Sequence, residues 1–456
     1  MAMGKRRKRE RQEDLWIPSS SIVATPGHAF YERLEELLRR NRFDALVEPL
    51  CQRYYRGPAG RPSITPGAYF RMMLIGYFEG LDSERGIAWR VADSLSLRKF
   101  LGYGLNEKTP DHSTISRTRR LYWLSTHKAV FAWVLRIVEA EGLLRGKTLA
   151  IDGTTLEANA AMRSIVRRDT EQGYEEYVRK LAAEAGLEEP TREQLARFDR
   201  KRKKKASNED WKSPHDPDAR ITKMKDGRTH LAHKAEHAVD LSSGAIVAVT
   251  LQPANRGDTT SIFETLDAAQ EMAASVGVKI EELVLDKGYH SNDVLVGLYG
   301  DSIRSYISEP ERGRRRWDGK DLEQELVHGN RRRLRGDRSK SLHKKRAELG
   351  ERSFAHMYET GGMRRLHLRG CDNALKRILI HGAAFNLGIV MRKMLGVGTP
   401  RRLKDLLAHI LVFIRAYFAP WRQLHALLAT IDSFHALFEL PLSRAGQTFS
   451  PLETSA

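Results

Sequence analysis

Cysteine is almost missing from this chain: its 456 residues include two, Cys51 and Cys371. Two thiols cannot build a secreted disulfide framework, and they are too few for a thiolate zinc site. An apolar export core is also lacking, since Lys5-Arg6-Arg7-Lys8-Arg9 leads into Gln12-Glu13-Asp14. The longest uncharged apolar stretch, Ile378 to Met391, is too short to span a bilayer and contains His381 and Asn386. It reads as a buried helix. There is no G-x-x-x-x-G-K-[ST] loop to cradle a nucleotide and no G-x-S-x-G elbow to carry a serine nucleophile. These gaps predict a soluble, cytoplasmic protein with no membrane partner and no nucleotide cofactor.

Positive charge is what the chain has in excess. Lys and Arg number 77 against 58 Asp and Glu, a formal net charge of +19. Three runs, at 5–12, 200–205 and 331–346, carry +5, +6 and +8, which is the whole surplus. Such concentration points to a polyanion as partner, with nucleic acid ahead of an anionic membrane.

The patterning predicts four regions: a basic tail over 1–26, helices over 27–143, a mixed α/β domain over 144–360, and a helical region over 361–456. In the first helical part, Phe30-x-x-x-Leu34-x-x-Leu37-Leu38 and Tyr69-x-x-Met72-Met73-x-x-Gly76-Tyr77 have helical spacing. Asp111 opens a short helix, Ser113-Thr114-Ile115-Ser116-Arg117-Thr118-Arg119-Arg120, with hydroxyls first and arginines behind. Ser113, Ser116, Arg117, Arg119 and Arg120 are thus candidate DNA contacts, to phosphate more than to bases. An ordinary bundle helix with a solvated basic face is an equal alternative.

From Leu144 the period changes. Lys147 to Asp152 reads as a buried strand, His230–Asp240 and Ala245–Leu251 as a hairpin, and Asp258–Ala274 as a helix capped by Asp258. Glu282–Asp286 reads as a second apolar strand, and Ser305–Ser308 as a short fifth one. Residues of about 160–225 interrupt this sheet as an inserted helical hairpin, Glu171–Leu187 and Thr191–Lys205. Helices return at Lys376–Leu395 and Leu403–Tyr417.

Two apolar strands thus end in acids, Asp152 and Asp286. If those strands are parallel neighbours, both carboxylates emerge at one sheet edge, where they repel unless a cation lies between them. Magnesium suits such oxygen donors, whereas turn capping is the alternative for either Asp alone. For a third acid the candidate is Glu351, which a helix over Lys344–Thr360 would place on a face with Ala347, Phe354 and Tyr358. There it would ligate a metal or pair with Arg346 or Arg365; Glu348 is the runner-up ligand. Arg331, Arg332, Arg333 and Arg335, with Lys344, Lys345 and Arg346, form a basic approach to that helix suited to a phosphodiester backbone, though part of it could be a solvated, disordered stretch. His233-x-x-x-His237 has zinc spacing for a helix, but along a strand four residues span roughly 13 Å, too far for one ion.

Taken together, these stretches resemble the DDE transposases of bacterial insertion sequences. Gly60-Arg61-Pro62-Ser63-Ile64-Thr65-Pro66 and Pro110 to Arg117 resemble their helical amino-terminal domain. Ile151-Asp152-Gly153-Thr154-Thr155-Leu156-Glu157-Ala158-Asn159-Ala160 resembles the strand with the first Asp. Leu285-Asp286-Lys287-Gly288-Tyr289-His290-Ser291 resembles the second, and Glu351-Arg352-Ser353-Phe354 through Arg369-Gly370 the helix with the Glu. The resemblance implies a ribonuclease H-like mixed sheet flanked by helices. Asp152, Asp286 and Glu351 would hold two Mg²⁺ ions (or Mn²⁺) about 3.5–4 Å apart for DNA cleavage and strand transfer. It also implies a dimer or larger assembly on paired DNA ends. Where some relatives carry a Lys seven residues after the Glu, this chain has Tyr358, so Tyr358, Arg364 and Arg365 are the candidates for gripping a cleaved end. The large insertion follows the first Asp and not the second, so a hairpin excision route is not implied. A hydrolytic nuclease of the same fold and a catalytically silent DNA-binding relative are the alternatives.

Overall fold

The computed structural model describes residues 28–405 and 408, except 56, 58–62, 204, 205, 225, 226, 312 and 314. The Lys5–Arg9 run, Gly60-Arg61-Pro62, Lys204-Lys205 and the helix expected beyond 405 lie outside the described residues. The chain divides into two compact units, 1–400 and 401–456; in the second, residues 401–405 are helical.

Among the described residues of the first unit, seven helices come first: α1 (Ala29–Arg40), α2 (Phe43–Gln52), α3 (Pro66–Phe78), α4 (Glu84–Ala92), α5 (Leu95–Leu101), α6 (His112–Leu121) and α7 (Leu124–Ala140). Their starts follow from local chemistry. Thr65, Ser83, Ser94 and Asp111 each accept a backbone N–H three residues on, and Pro66 fits the first turn of α3. Every residue of α3 is buried, which makes it the axis of this bundle.

The strands are β1 (Thr148–Glu157), β2 (Val166–Arg167), β3 (Trp211–Lys212), β4 (Arg220–Lys223), β5 (Thr229–Asp240), β6 (Ile246–Pro253), β7 (Glu282–Leu285) and β8 (Arg304–Ile307). The main sheet runs β4-β5-β1-β7-β8, with β6 also on β5; β1, β7 and β8 are parallel, while β5 is antiparallel to β1. The mixed sheet flanked by helices is the expected fold class. The insertion holds α8 (Tyr174–Glu184) and α9 (Arg192–Lys201), packed on each other through Val178, Ala182 and Leu195, plus the small β2–β3 ribbon. Helices α10 (Asp258–Ala274), α11 (Asn292–Gly300), α12 (Asp321–Leu334), α13 (Asp337–Ala355) and α14 (Cys371–Leu395) complete the unit. Ile378 to Met391 of α14 are all buried, as a core helix requires, and α14 packs on both α7 and β6.

Three local expectations need correction. β1 does not stop at Asp152 but runs on to Glu157, because the longer β5 keeps pairing with it after β7 has ended. Asp258 is not the cap of α10: Gly257 holds that position, and the Asp258 carboxylate goes instead to Lys234 at 2.6 Å. The helix expected from Lys344 begins at Asp337, since Leu342 is buried against the sheet and Arg338 pairs with Glu282; its last turn, His356–Thr360, widens into a π-helix. The 331–346 run is therefore helical through most of its length, closing α12 and opening α13.

Candidate active site and DNA-facing residues

The parallel register runs from Thr148↔Glu282 to Ala150↔Val284, and Asp152 and Asp286 each stand two positions beyond its last pair. By strand alternation Asp152 projects to the face of Ala150 and Val284, which α13 covers with Leu342 and Leu349, while Asp286 opens the turn that follows β7. Above Asp152 the helix presents Gly350, where a β-carbon would sit 3.5 Å from the carboxylate Oδ2. Asp152 Oδ1 accepts the Gly153 N–H at 2.9 Å, and Oδ2 faces the Arg346 guanidinium at 3.4 Å. Asp286 Oδ1 accepts the Gly288 N–H at 2.8 Å and so closes the short turn Lys287–Tyr289.

Glu351 departs from the apolar-face expectation: it is exposed, and the buried residues of α13 are Ser339, Leu342, Gly350, Ser353 and Phe354. Helix α13 is rotated so that a glycine, not the glutamate, fills the tight place over Asp152. Glu348 is exposed too and pairs with Arg352 at 2.5 Å. Neither arginine proposed as partner for Glu351 takes that part, for Arg346 meets Asp152 and Arg365 meets Glu157 at 3.6 Å. Among the described residues no three His, Cys, Asp or Glu side chains converge closely enough to hold one ion. Tyr358 stands in the π-turn with its hydroxyl 2.5 Å from Thr154 Oγ1, two positions from Asp152 on the same face. Burial pushes its phenol pKa up. Arg364 lies over the Tyr358 ring at 5.9 Å and pairs with Glu359.

The candidate DNA contacts separate into two kinds. Ser113, Arg117 and Arg120 are exposed on α6, as are Arg332, Arg335, Lys344 and Lys345 on α12 and α13 or between them. Others face inward. Arg119 is buried and bonded to Glu84 at 2.7 Å, with Ser116 as a further partner at 3.3 Å, so the expected outward role fails for it. Arg333 donates to the Ser305 carbonyl at 2.9 Å and to its hydroxyl at 2.8 Å; Arg331, whose side chain stays 40% exposed, is intermediate and pairs with Glu309 at 2.6 Å.

His233 and His237 both lie on β5 and are buried apart, as the strand requires. His233 Nε2 meets Asp216 at 3.1 Å. His237, in register with Asp152, stacks on Phe354 at 4.3 Å and meets Ser353 Oγ at 3.0 Å; burial lowers its pKa to about 3.

Behind the sheet lies a group that sequence inspection passed over. Lys234, Glu236 and Tyr289 are buried there with Ser261, Thr265 and Gln252, and Asp258 stands at the edge. A visible signal existed, since Lys234 and Glu236 put two charges two residues apart, hence on one face, in the middle of a strand that also carries Leu231, Ala232, Ala235, Ala238 and Val239.

Residues 20–121 match the family described as Transposase domain (DUF772), and residues 146–387, more than half of the chain, match the family described as Transposase DDE domain. No curated protein matches the chain.

Proposed function

The chain belongs to the transposases with a DDE domain, which makes DNA its partner, and from that premise we propose that it cuts DNA at insertion-sequence ends and joins those ends to a target. The observation that supports this reading is the parallel pairing of β1 with β7, which runs to Ala150↔Val284 and so leads both strands toward their acids, Asp152 and Asp286, at the same edge of the sheet. Two carboxylates at one edge, one already drawn to a guanidinium, form a hard oxygen site that favours positive charge. They suit divalent Mg²⁺ or Mn²⁺, with Glu351 as the third donor, brought in from the rim by movement of α13. When bound, two such ions supply the Lewis acidity that activates water, and later a 3′-hydroxyl, for in-line attack on phosphorus.

The remaining roles belong to the chain itself. Arg346 lies at the mouth of the acid pair and exchanges Asp152 for a DNA phosphate as the backbone enters. Tyr358, fixed by Thr154, and Arg364 beside it line the exit from the same face and hold the cleaved end. Arg117, Arg120, Arg332, Arg335, Lys344 and Lys345 carry the salt-dependent part of DNA affinity. The protein works as a homodimer or larger assembly on paired ends, in the cytoplasm on the nucleoid.

The test is a cleavage and joining assay with the full chain, Mg²⁺ and DNA bearing the element's ends. The expected result is nicking and joined product for the wild type and neither for Asp152→Ala. Nicking that Asp152→Ala leaves unchanged would sink the assignment. Cutting without joining would make the protein a hydrolytic nuclease, and binding without cutting a silent relative.

A further inference from the structure

The two acid-bearing stretches each contain a glycine next to or near the acid, and both glycines meet the same buried group behind the sheet. A β-carbon on Gly153 would stand 3.2 Å from Lys234 Cε, 3.3 Å from Glu236 Cγ and 3.3 Å from the Tyr289 hydroxyl. A β-carbon on Gly288 would stand 2.5 Å from Asp258 Oδ2 and 3.0 Å from Asp286 Oδ1. Side chains at these positions would push the group away, so glycine is what lets it come close.

The group is a closed bracket. From the turn after Asp286, Tyr289 passes beneath β1 at Gly153 and donates to Glu236 Oε1 on β5 at 3.1 Å. Glu236 is fully buried, with Ser261 at 2.5 Å on the same oxygen and Thr265 at 2.6 Å on the other. Beside it, Lys234 Nζ lies 3.0 Å from Glu236, 2.7 Å from Ser261 and 2.6 Å from Asp258. Asp258 Oδ2 in turn occupies the space where a Gly288 side chain would stand, against the turn that Asp286 closes. The strand of the first acid, the turn of the second and the start of α10 are thus locked to one lysine and one glutamate. Such a network is stiff because every member loses a partner if one moves.

We propose that Lys234, Glu236 and Tyr289 are positioning residues that fix the Asp286 turn against the Asp152 strand, and thereby set the separation of the two carboxylates for divalent metal. None of the three touches the metal or the DNA; they act through the backbone of Gly153 and Gly288. The inference rests on the function proposed above.

Mn²⁺ titration of the full chain without DNA, read as the rise in melting temperature, tests it. Wild type should be stabilised by Mn²⁺, and Asp286→Asn should abolish the response. Tyr289→Phe keeps ring and volume but loses the bond to a carboxylate, so its Mn²⁺ midpoint should rise about tenfold. Lys234→Met should raise it at least as much. Val178→Ala, in the small core of the insertion, lowers the melting temperature without touching the bracket and should leave the midpoint unchanged. If Tyr289→Phe melts earlier but keeps the wild-type midpoint, the bracket is structural and the proposal falls, whether or not Lys234→Met folds. If the wild type itself shows no Asp286-dependent response, this proposal and the metal assignment fall together.

Discussion

The two faces of the central sheet treat charge in opposite ways at neighbouring positions. Behind it, Glu236 is sealed from water and bonded through both oxygens to hydroxyls, with Lys234 beside it. In front, Asp152 faces a guanidinium at a long 3.4 Å, Asp286 accepts a turn N–H, and Glu348 and Glu351 point to solvent. A sealed, satisfied network holds shape, because removing any member strands a buried partner. Carboxylates at a rim can exchange partners at low cost. The back of the sheet should therefore govern stability and the placement of the front acids, and the front acids the chemistry itself.

The largest effect that would sharpen this contrast is at the front. Asp152→Asn and Asp286→Asn should each reduce DNA cleavage by about a thousandfold or more while leaving urea unfolding nearly unchanged. A large loss of stability in either would break the comparison. At the back the order reverses: Glu236→Ala should cost about 3 kcal/mol in urea unfolding, since it leaves Lys234 buried without its carboxylate.

Acid should reveal a third contribution. His237, His127 in α7 and His381 in α14 are buried, and desolvation lowers their pKa values, those of His237 and His127 to about 3. Above the unfolded value near pH 6.5 they are neutral in both states and neutral to the balance. As pH falls below it, the unfolded chain takes up protons that the folded one refuses. Stability should then drop by roughly 1.4 kcal/mol per pH unit for each histidine between about pH 6.5 and 3. His237→Leu should remove one histidine's share of that slope, roughly 1.4 kcal/mol per pH unit, measured by urea unfolding at several pH values.

The smallest effect separates outward from inward arginines. Arg332→Ala with Arg335→Ala should reduce the slope of log affinity against log salt by about 2, without loss of stability. Arg333→Ala, which removes the bonds to Ser305, should leave the slope alone and cost about 1 kcal/mol in unfolding.

Much of this could be read from the chain. Apolar runs ending in Asp152 and Asp286, the β5–β6 hairpin with its Ser242-Ser243-Gly244 turn, and the paired insertion helices are local patterns, and each formed close to its expected place. What escaped was set by partners distant in sequence. β1 continues past Asp152 because of the length of β5, whose His237, the partner of Asp152, lies 85 residues on. The rotation of α13 that turns Gly350 inward and Glu351 outward depends on Leu342 and Leu349 finding Ala150, Val284 and Tyr306. Helical spacing alone ranks faces by apolarity, and it could not foresee that a glycine would take the closest approach. Likewise the +8 count over 331–346 held no information about which arginines find Glu309, Ser305, Glu282 or Asp152.

The most direct test of the acid pair is to locate the metal chemically. Fe²⁺ supplied in place of Mg²⁺, with ascorbate and peroxide, generates hydroxyl radicals that cut the polypeptide beside a bound ion. Cuts clustered around residues 152, 286 and 351, and lost in Asp152→Asn, are the expected result. Cuts mapping elsewhere, or persisting in that variant, would contradict a metal held between Asp152 and Asp286.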